Sequence, residues 1–174
     1  MLQWNPANPD DEIVYNFFDD NDYKAMVKSI SGKAQRVLSR PVANIGSDGN
    51  YALSINFSRI YDFRPGYGYL NKTDDFIDIK HPENDGVYLV DMSSGESSLV
   101  LSMEDIYRQH SHVEGMENKK LVINHITFNT DGSRFVFICR NFPTREGEVW
   151  GNAFFSTNTD GSDIYCLSDY VFVS

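Results

Sequence analysis

One motif occurs three times along the chain, and it constrains the fold more than any other feature. The segments SGKAQRVL, SGESSLVL and DGSDIYCL each place a glycine six residues before a leucine. The glycines are Gly32, Gly95 and Gly161, at spacings of 63 and 66 residues. Each segment follows an apolar stretch, which predicts a hairpin of two strands joined by a tight glycine turn. Internal repetition of this kind is typical of chains built from similar structural units.

A further pair of strands is expected before each hairpin. The segments EIVYNFF, YALSINF and RFVFICR are apolar on both faces or nearly so, and two of them follow the turns SDGN and TDGS. Strands with this pattern belong to sheets that are covered on both sides. We therefore expect units of four antiparallel strands at about 1–39, 40–102 and 121–168, and the start of a further unit at 170–174.

Four-stranded antiparallel sheets that stack face to face in series are the blades of a β-propeller. The sequence thus predicts an all-β fold, a partial β-propeller of about three blades. Propellers close with roughly four to eight blades, so three blades would leave two apolar faces uncovered. We expect the chain to be a fragment of a ring of about six to eight blades, completed by further blades or by self-association.

Charge and composition narrow the classes of partner. The 174 residues carry a net charge of −10, which disfavours nucleic acid and anionic membranes. We find no apolar run long enough to span a bilayer and no signal-peptide pattern, so we expect a cytoplasmic protein. Cys139 and Cys166 each lie inside an apolar run and are predicted to be reduced, buried thiols.

Connection lengths differ between the two edges of the predicted blades. In a four-stranded antiparallel blade, the first and third turns share one edge, and the remaining connections share the other. The long segments 58–85, 102–120 and 141–151 all fall at the second edge, which we call the loop rim. Functional residues are commonly found on long loops above a rigid scaffold, so the loop rim is the predicted functional face.

The segment RPGYGY supplies the first candidates for a binding site. Arg64 could grip a carboxylate while Tyr67 or Tyr69 stacks on a sugar ring, or the loop could be a structural plug. Arg140 ends an apolar strand and could reach the loop rim as a substrate contact or form a salt bridge there. Arg59 is a further candidate catalytic cation, with a loop anchor as the alternative.

Histidines supply the second set of candidates. On an extended segment, His110, His112 and Glu114 would share a face and could converge on one metal ion, or they could belong to a solvated loop. His125 lies on the strand nearest the propeller axis, where alternation would give it the same face as its neighbours two residues away. There it could be a metal ligand or an acid–base group, or a buried histidine bonded to a carbonyl.

Several segments resemble a known group of proteins. FNTDGSRFVFI with NTDGSDIYCLS resembles the TolB-like and WD40-like propeller repeats. LSINFSRIYDFRPGYGY, DGVYLVDMSSGES and NHITFNTDGSRFVFICR are similar to bacterial propellers related to oligogalacturonate lyase. This resemblance implies cleavage of uronides by β-elimination, with a divalent metal, typically manganese, held by histidines. It implies His125 as a metal ligand and Arg64 as a partner of the substrate carboxylate, in a site that is incomplete in this chain.

The sequence therefore leads to two hypotheses about function. The first is a carbohydrate-directed propeller that acts as a metal-dependent uronide lyase, with His125, His112 and His110 as metal ligands. In that hypothesis Arg64 and Arg59 are catalytic, and an oligosaccharide or uronide is the partner. The second is a non-catalytic propeller module that binds a glycan or a protein through the same loops.

Overall fold

The computed structural model describes residues 1–32, 34–143 and 150–168. These ranges contain three four-stranded antiparallel sheets. The first blade comprises β1 (Leu2–Trp4), β2 (Glu12–Asp19), β3 (Asp22–Ser29) and β4 (Gln35–Leu38). The second comprises β5 (Asn44–Ile45), β6 (Tyr51–Ser54), β7 (Gly86–Asp91) and β8 (Ser97–Ser102). The third comprises β9 (Leu121–Phe128), β10 (Arg134–Asn141), β11 (Asn152–Asn158) and β12 (Tyr165–Ser168). The predicted all-β partial propeller is confirmed; the strand expected at 170–174 lies outside the described residues.

The three blades stack in chain order, and the apolar core lies in the layers between them. Strand β3 shows the pattern that drives this packing, because alternate residues from Tyr23 to Ser29 are buried while those between them are partly or fully exposed. Between the first and second blades, Val14 and Leu38 pack with Val90. The larger layer between the second and third blades is built from the residues Leu53, Val87, Leu101, Phe135, Phe137 and Phe155.

Two apolar faces remain open at the ends of the stack. The first blade exposes Leu2 and Trp4 to 69% and 56%. On the third blade Phe154 and Tyr165 are 44% and 63% exposed. No sheet among the described residues covers either face, as the count of three blades predicted.

Two of the three repeated glycines, Gly95 and Gly161, lie where a hairpin meets the preceding blade, whereas a Cβ on Gly32 would meet nothing within 4 Å. Gly95 and Gly161 have φ values of 80° and 84°, a region that side chains with a Cβ rarely adopt. A Cβ on Gly95 would lie 2.7 Å from the carbonyl oxygen of Val37, and one on Gly161 would collide with the carbonyl of Val100. The repeat in the sequence thus has two physical causes, the left-handed turn and the contact between blades.

Two helices lie in segments that were predicted to be loops. Helix α1 (Phe57–Phe63) begins after Asn56, whose side chain accepts a hydrogen bond from Arg59 N. Helix α2 (Met103–His110) begins with a capping box between Ser102 and Asp105. A short 3₁₀ helix follows at Met116–Asn118. Within the described ranges, no helix is long and apolar enough to cross a membrane.

Candidate functional site

Arg64 lies at the end of α1, on the loop rim. Its backbone N–H donates to Ile60 O, and its own carbonyl accepts from Tyr67 N across the Pro-Gly turn. This turn brings the Tyr67 ring back under the guanidinium, whose carbon lies 4.3 Å from the ring centroid. The same carbon lies 5.7 Å from the ring of Trp150. Both distances are in the range of cation–π attraction, so the exposed cation is held between two aromatic side chains.

Arg140, at the end of β10, is close to the same group. Its Nε donates to Asn152 Oδ1 at 2.7 Å, which fixes the half-buried side chain against β11. Burial lowers the pKa of Arg140, and the positive charge of Arg64 lowers it further. Within the described ranges neither arginine forms an ion pair, so two cations lie near each other without a balancing carboxylate. Such a pair attracts an anion.

Aromatic rings and a lysine extend this surface. The Phe63 ring meets Phe142 and Trp150 edge to face at 5.2 and 5.4 Å. Lys120 Nζ lies 4.4 Å from the Phe142 ring centroid, and burial lowers the pKa of Lys120. We call this surface the rim patch and define it by the residues Arg64, Tyr67, Lys120, Arg140 and Trp150. It is a basic region on a chain whose net charge is −10.

A cavity of about 280 Å³ adjoins the rim patch near the axis of the stack. Residues of, or next to, the innermost strand of every blade line it, among them Met1, Ala43 and His125. Tyr67 lines the same cavity and therefore connects it to the rim patch. We call it the axial cavity. Its wall is mainly apolar, with a few polar groups, as in many sites for small ligands.

His125 faces this cavity because of a β-bulge. Between the pairs Val136–Thr127 and Ile138–Asn124, β9 contains one residue more than β10. His125 takes φ = 49° and is exposed. The expected alternation with its neighbours two residues away is therefore wrong, and so is the alternative of a buried histidine. Bulges often redirect a side chain next to a functional site.

Asn124 supplies a further polar group to the axial cavity. Its side chain is 5% exposed, and its Oδ1 accepts no hydrogen bond from the described residues. A buried amide oxygen without a donor is unfavourable by about 1–3 kcal/mol. A ligand hydroxyl in the axial cavity is the kind of group that would satisfy it.

Arg59 has a structural role instead. It is fully buried, with a 2.9 Å ion pair to Asp74. Its guanidinium also donates to four backbone carbonyls, those of Leu121, Phe76, Ile79 and Lys80. All its donors are directed into the protein, so the placement corresponds to the loop anchor and not to a cation that meets a substrate.

Tyr69 is likewise part of the packing between blades. Its ring stacks on Phe57 at 4.5 Å, and its hydroxyl accepts hydrogen bonds from Asn16 Nδ2 and the Met1 amino group. Of the two tyrosines in RPGYGY, only Tyr67 borders both the rim patch and the axial cavity. The segment therefore combines the two alternatives, a structural plug at Tyr69 and an exposed platform at Tyr67.

His110 and His112 lie away from His125. His110 ends α2, so the extended segment assumed for this pair is wrong, although the two rings are 6.2 Å apart. His110 Nε2 lies 3.7 Å from Cys166 Sγ on β12, whereas His125 is on β9. The two strands are the opposite edges of a four-stranded blade, about 14 Å apart. His110 and His125 therefore cannot bind one ion.

The donor set does not fit the expected metal. Among residues 1–32, 34–143 and 150–168, no three His, Cys, Asp or Glu side chains are grouped so as to hold a metal ion. Among the described residues that line the axial cavity, His125 is accompanied by no other His, Cys, Asp or Glu. We therefore derive no chemical step through a metal.

Three members of the site were not singled out from the sequence. Lys120 ends the loop-rim segment 102–120, Trp150 lies inside the segment 141–151, and Asn124 directly precedes His125. The feature of the sequence that could have indicated one of them is Trp150, a single tryptophan in a polar loop of the loop rim. The positions of Lys120 and Asn124 depend on how α1 packs beside β9.

The chain matches no protein-family model and no curated protein. Among solved structures, it is similar to an acylaminoacyl peptidase in complex with Z-Gly-Gly-Phe-chloromethyl ketone, with 10% identity and a TM-score of 0.46 over 90% of this chain. It is also similar to TolB from Acinetobacter baumannii, with 12% identity and a TM-score of 0.30 over 97% of this chain. The chain spans 24% and 44% of the lengths of these two proteins. Neither is an oligogalacturonate lyase, and the propeller architecture described above rests on the three sheets themselves.

Proposed function

We propose that this chain is a binding module for acidic saccharides, with uronides as the ligand class and the rim patch as the primary contact. The observation that supports it is the pairing of Arg64 with Arg140 beside the exposed ring of Tyr67. The two guanidinium groups, which form no ion pair with any described residue, match the two oxygens of a uronate carboxylate. The neighbouring aromatic faces suit the apolar face of a sugar ring.

The axial cavity supplies the place for an adjoining sugar. Its volume of about 280 Å³ suits a small ligand group. A hydroxyl there could donate to Asn124 Oδ1, and the His125 imidazole could donate to or accept from another. Tyr67 lies at the junction, so a two-sugar ligand would contact both parts through one tyrosine.

Binding alone is the form of this proposal that the described residues support. The lyase form adds abstraction of a proton from the sugar and, in the family that the sequence resembles, a metal that neutralises the carboxylate. No three His, Cys, Asp or Glu side chains of the described residues are grouped as ligands for such a metal, and Arg59 is committed to Asp74. The carboxylate is instead met by Arg64 and Arg140.

Calorimetric titration of the whole chain with digalacturonate tests the proposal. Arg64→Gln and Arg140→Gln should each weaken binding by roughly ten- to a hundredfold, because a hydrogen bond to a charged group contributes about 1.5–3 kcal/mol. Arg108→Gln is the matched control, since Arg108 is an exposed arginine of α2 paired with Glu104 and should leave affinity unchanged. Galactobiose, which lacks carboxylates, should bind far more weakly.

The result that would refute the proposal is equal affinity for digalacturonate in the wild type and both arginine variants. Equal binding of galactobiose would refute the role of the carboxylate. The absorbance of unsaturated uronides, followed in the same samples with and without added manganese, separates binding from β-elimination. We expect no rise in absorbance with this chain.

A further inference from the structure

A second cavity, of about 330 Å³, lies between the first and second blades on the loop rim. We call it the interblade cavity. Its wall comes from the start of β3, the connection between β4 and β5, the start of α1 and its following loop, and strands β7 and β8. No residue of the rim patch lines it. Any ligand here would therefore be separate from one on Arg64 and Arg140.

Arg40 is the uncompensated cation of the interblade cavity. Its guanidinium carbon lies over the Tyr88 ring, 3.3 Å from the ring centroid, which is within cation–π distance. The side chain is half-buried, and no carboxylate among the described residues pairs with it. Stacking and a hydrogen bond with the Tyr88 side chain fix the guanidinium, and its remaining N–H donors are left for a planar anion.

Asp85 is the uncompensated acid of the same cavity. It is 2% exposed and accepts hydrogen bonds from Asn56 Nδ2 at 2.8 Å and Tyr88 Oη at 3.3 Å. The nearby cation Arg59 is paired with Asp74 instead. Burial raises the pKa of Asp85, as expected for a carboxyl that lacks an ion pair.

Tyr88 holds these two groups apart. Its ring face carries Arg40, and the one proton of its hydroxyl is shared between the Asn84 carbonyl at 2.9 Å and Asp85 Oδ1 at 3.3 Å. Burial raises the pKa of Tyr88 to about 12, so the phenol remains a neutral donor. An arginine and an aspartate that could neutralise each other thus border one cavity without contact.

The other cation of the cavity, Lys72, is held by two carboxylates. Lys72 Nζ lies 3.2 Å from Asp22 and 2.7 Å from Asp75. Its charge is balanced twice over and is not directed at a ligand. Arg40 and Asp85 are the charged side chains of the cavity that form no ion pair within the described residues.

We propose that the interblade cavity binds a small α-hydroxy or α-amino acid, with the carboxylate on Arg40 and the hydroxyl or ammonium group on Asp85. The ligand bridges two groups that Tyr88 keeps apart, which satisfies the free donors of the guanidinium and a free lone pair of the carboxyl. A ligand of this class needs both functions, a planar anion at one end and a hydrogen-bond donor at the other. The proposal does not depend on the rim patch.

Two-dimensional NMR of the whole chain, titrated with four small probes, tests it. L-lactate and L-alanine carry both functions, propionate lacks the second donor, and lactamide lacks the carboxylate. We expect lactate or alanine, at about 10 mM, to shift signals of Tyr88 and its neighbours with a Kd near 1 mM. Propionate should bind at least tenfold more weakly, and lactamide should cause no shift. Absence of a shift with both lactate and alanine overturns the proposal.

Two variants and one control assign the contacts. Arg40→Gln should abolish the shifts. Arg40→Lys, which keeps the charge over the ring, replaces this variant if the glutamine protein does not fold, and it should weaken binding about tenfold. Asp85→Asn should weaken the binding of alanine by more than tenfold and the binding of lactate by much less. The amide oxygen still accepts a hydrogen bond from a hydroxyl but no longer attracts an ammonium group. Arg36→Gln, whose side chain donates to Met92 O outside the cavity, is the matched control. Binding that survives Arg40→Gln with the affinity of the control overturns the proposal.

Discussion

Replacing Arg59 with methionine should destabilise the protein by about 4 kcal/mol. The substitution removes the partner of a buried carboxylate, Asp74, and such a loss typically costs about 3–5 kcal/mol. Four carbonyl groups also lose a donor, but those nearest the surface can regain one from water. Asp74 keeps donors from Asn56 and from the Phe76 backbone, which limits the effect. A loss of 4 kcal/mol is a large part of the roughly 5–15 kcal/mol that stabilises a typical domain.

Urea unfolding of the whole chain measures this effect as a lower midpoint at unchanged slope. Arg108→Met is the matched control, since Arg108 is 60% exposed and its ion pairs should contribute less than about 1 kcal/mol. The double variant Arg59→Met, Asp74→Asn should recover part of the loss, because it removes the unpaired charge. If Arg59→Met were no more destabilising than Arg108→Met, the anchor role would be refuted. Unchanged stability combined with lost uronide binding would favour the catalytic role instead.

Three further predictions concern the turns and the core. Gly161→Ala should destabilise by about 2 kcal/mol more than Gly132→Ala, because both need a left-handed backbone but only Gly161 lies against the carbonyl of Val100; equal midpoints in urea would contradict this. Hydrogen bonds from a neighbouring serine lower the pKa of Asp131, so the stability it contributes is present above about pH 4 and is lost as the pH falls through its native pKa. Between about pH 5 and pH 3 the wild type should therefore lose more stability than Asp131→Asn, and parallel pH profiles would exclude this contribution. Burial raises the pKa of Cys139 to about 12, so its thiol should resist a disulfide reagent at mildly alkaline pH until urea unfolds the chain, and fast labelling of the native protein would disprove its burial.

The rim patch shows how far the sequence leads toward the site. Arg64, Tyr67 and Arg140 were all named from their residue types and from the length of the loops that hold them. Their proximity was not predictable, because Arg64 and Arg140 are 76 positions apart and meet through the packing of α1 on the third blade. Arg59 shows the reverse case, since nothing in SRIYDF distinguishes a buried anchor from an exposed cation.

The histidines illustrate the limit of local patterns. Alternation predicts the face of His125 only if the strand is unbroken. In β9 one extra residue opposite β10 interrupts the alternation, and the face of His125 changes. The bulge contains no glycine, so no residue type in the sequence indicates it. His110 was predicted to lie on an extended loop. It is in fact the last residue of α2, whose first turn carries the capping box of Ser102 and Asp105.

The sequence by itself determined the number of blades, their four-stranded composition and the edge that carries the long connections. These features follow from short-range chemistry, namely alternating apolar residues, Asp-Gly turns and a glycine that the hairpin needs at positive φ. Only the tertiary structure decided which polar groups are balanced. Arg59 and Lys72 meet carboxylates, whereas Arg64, Arg140 and Arg40 form no ion pair within the described part of the chain, because ion pairing depends on distances between segments that are remote in sequence.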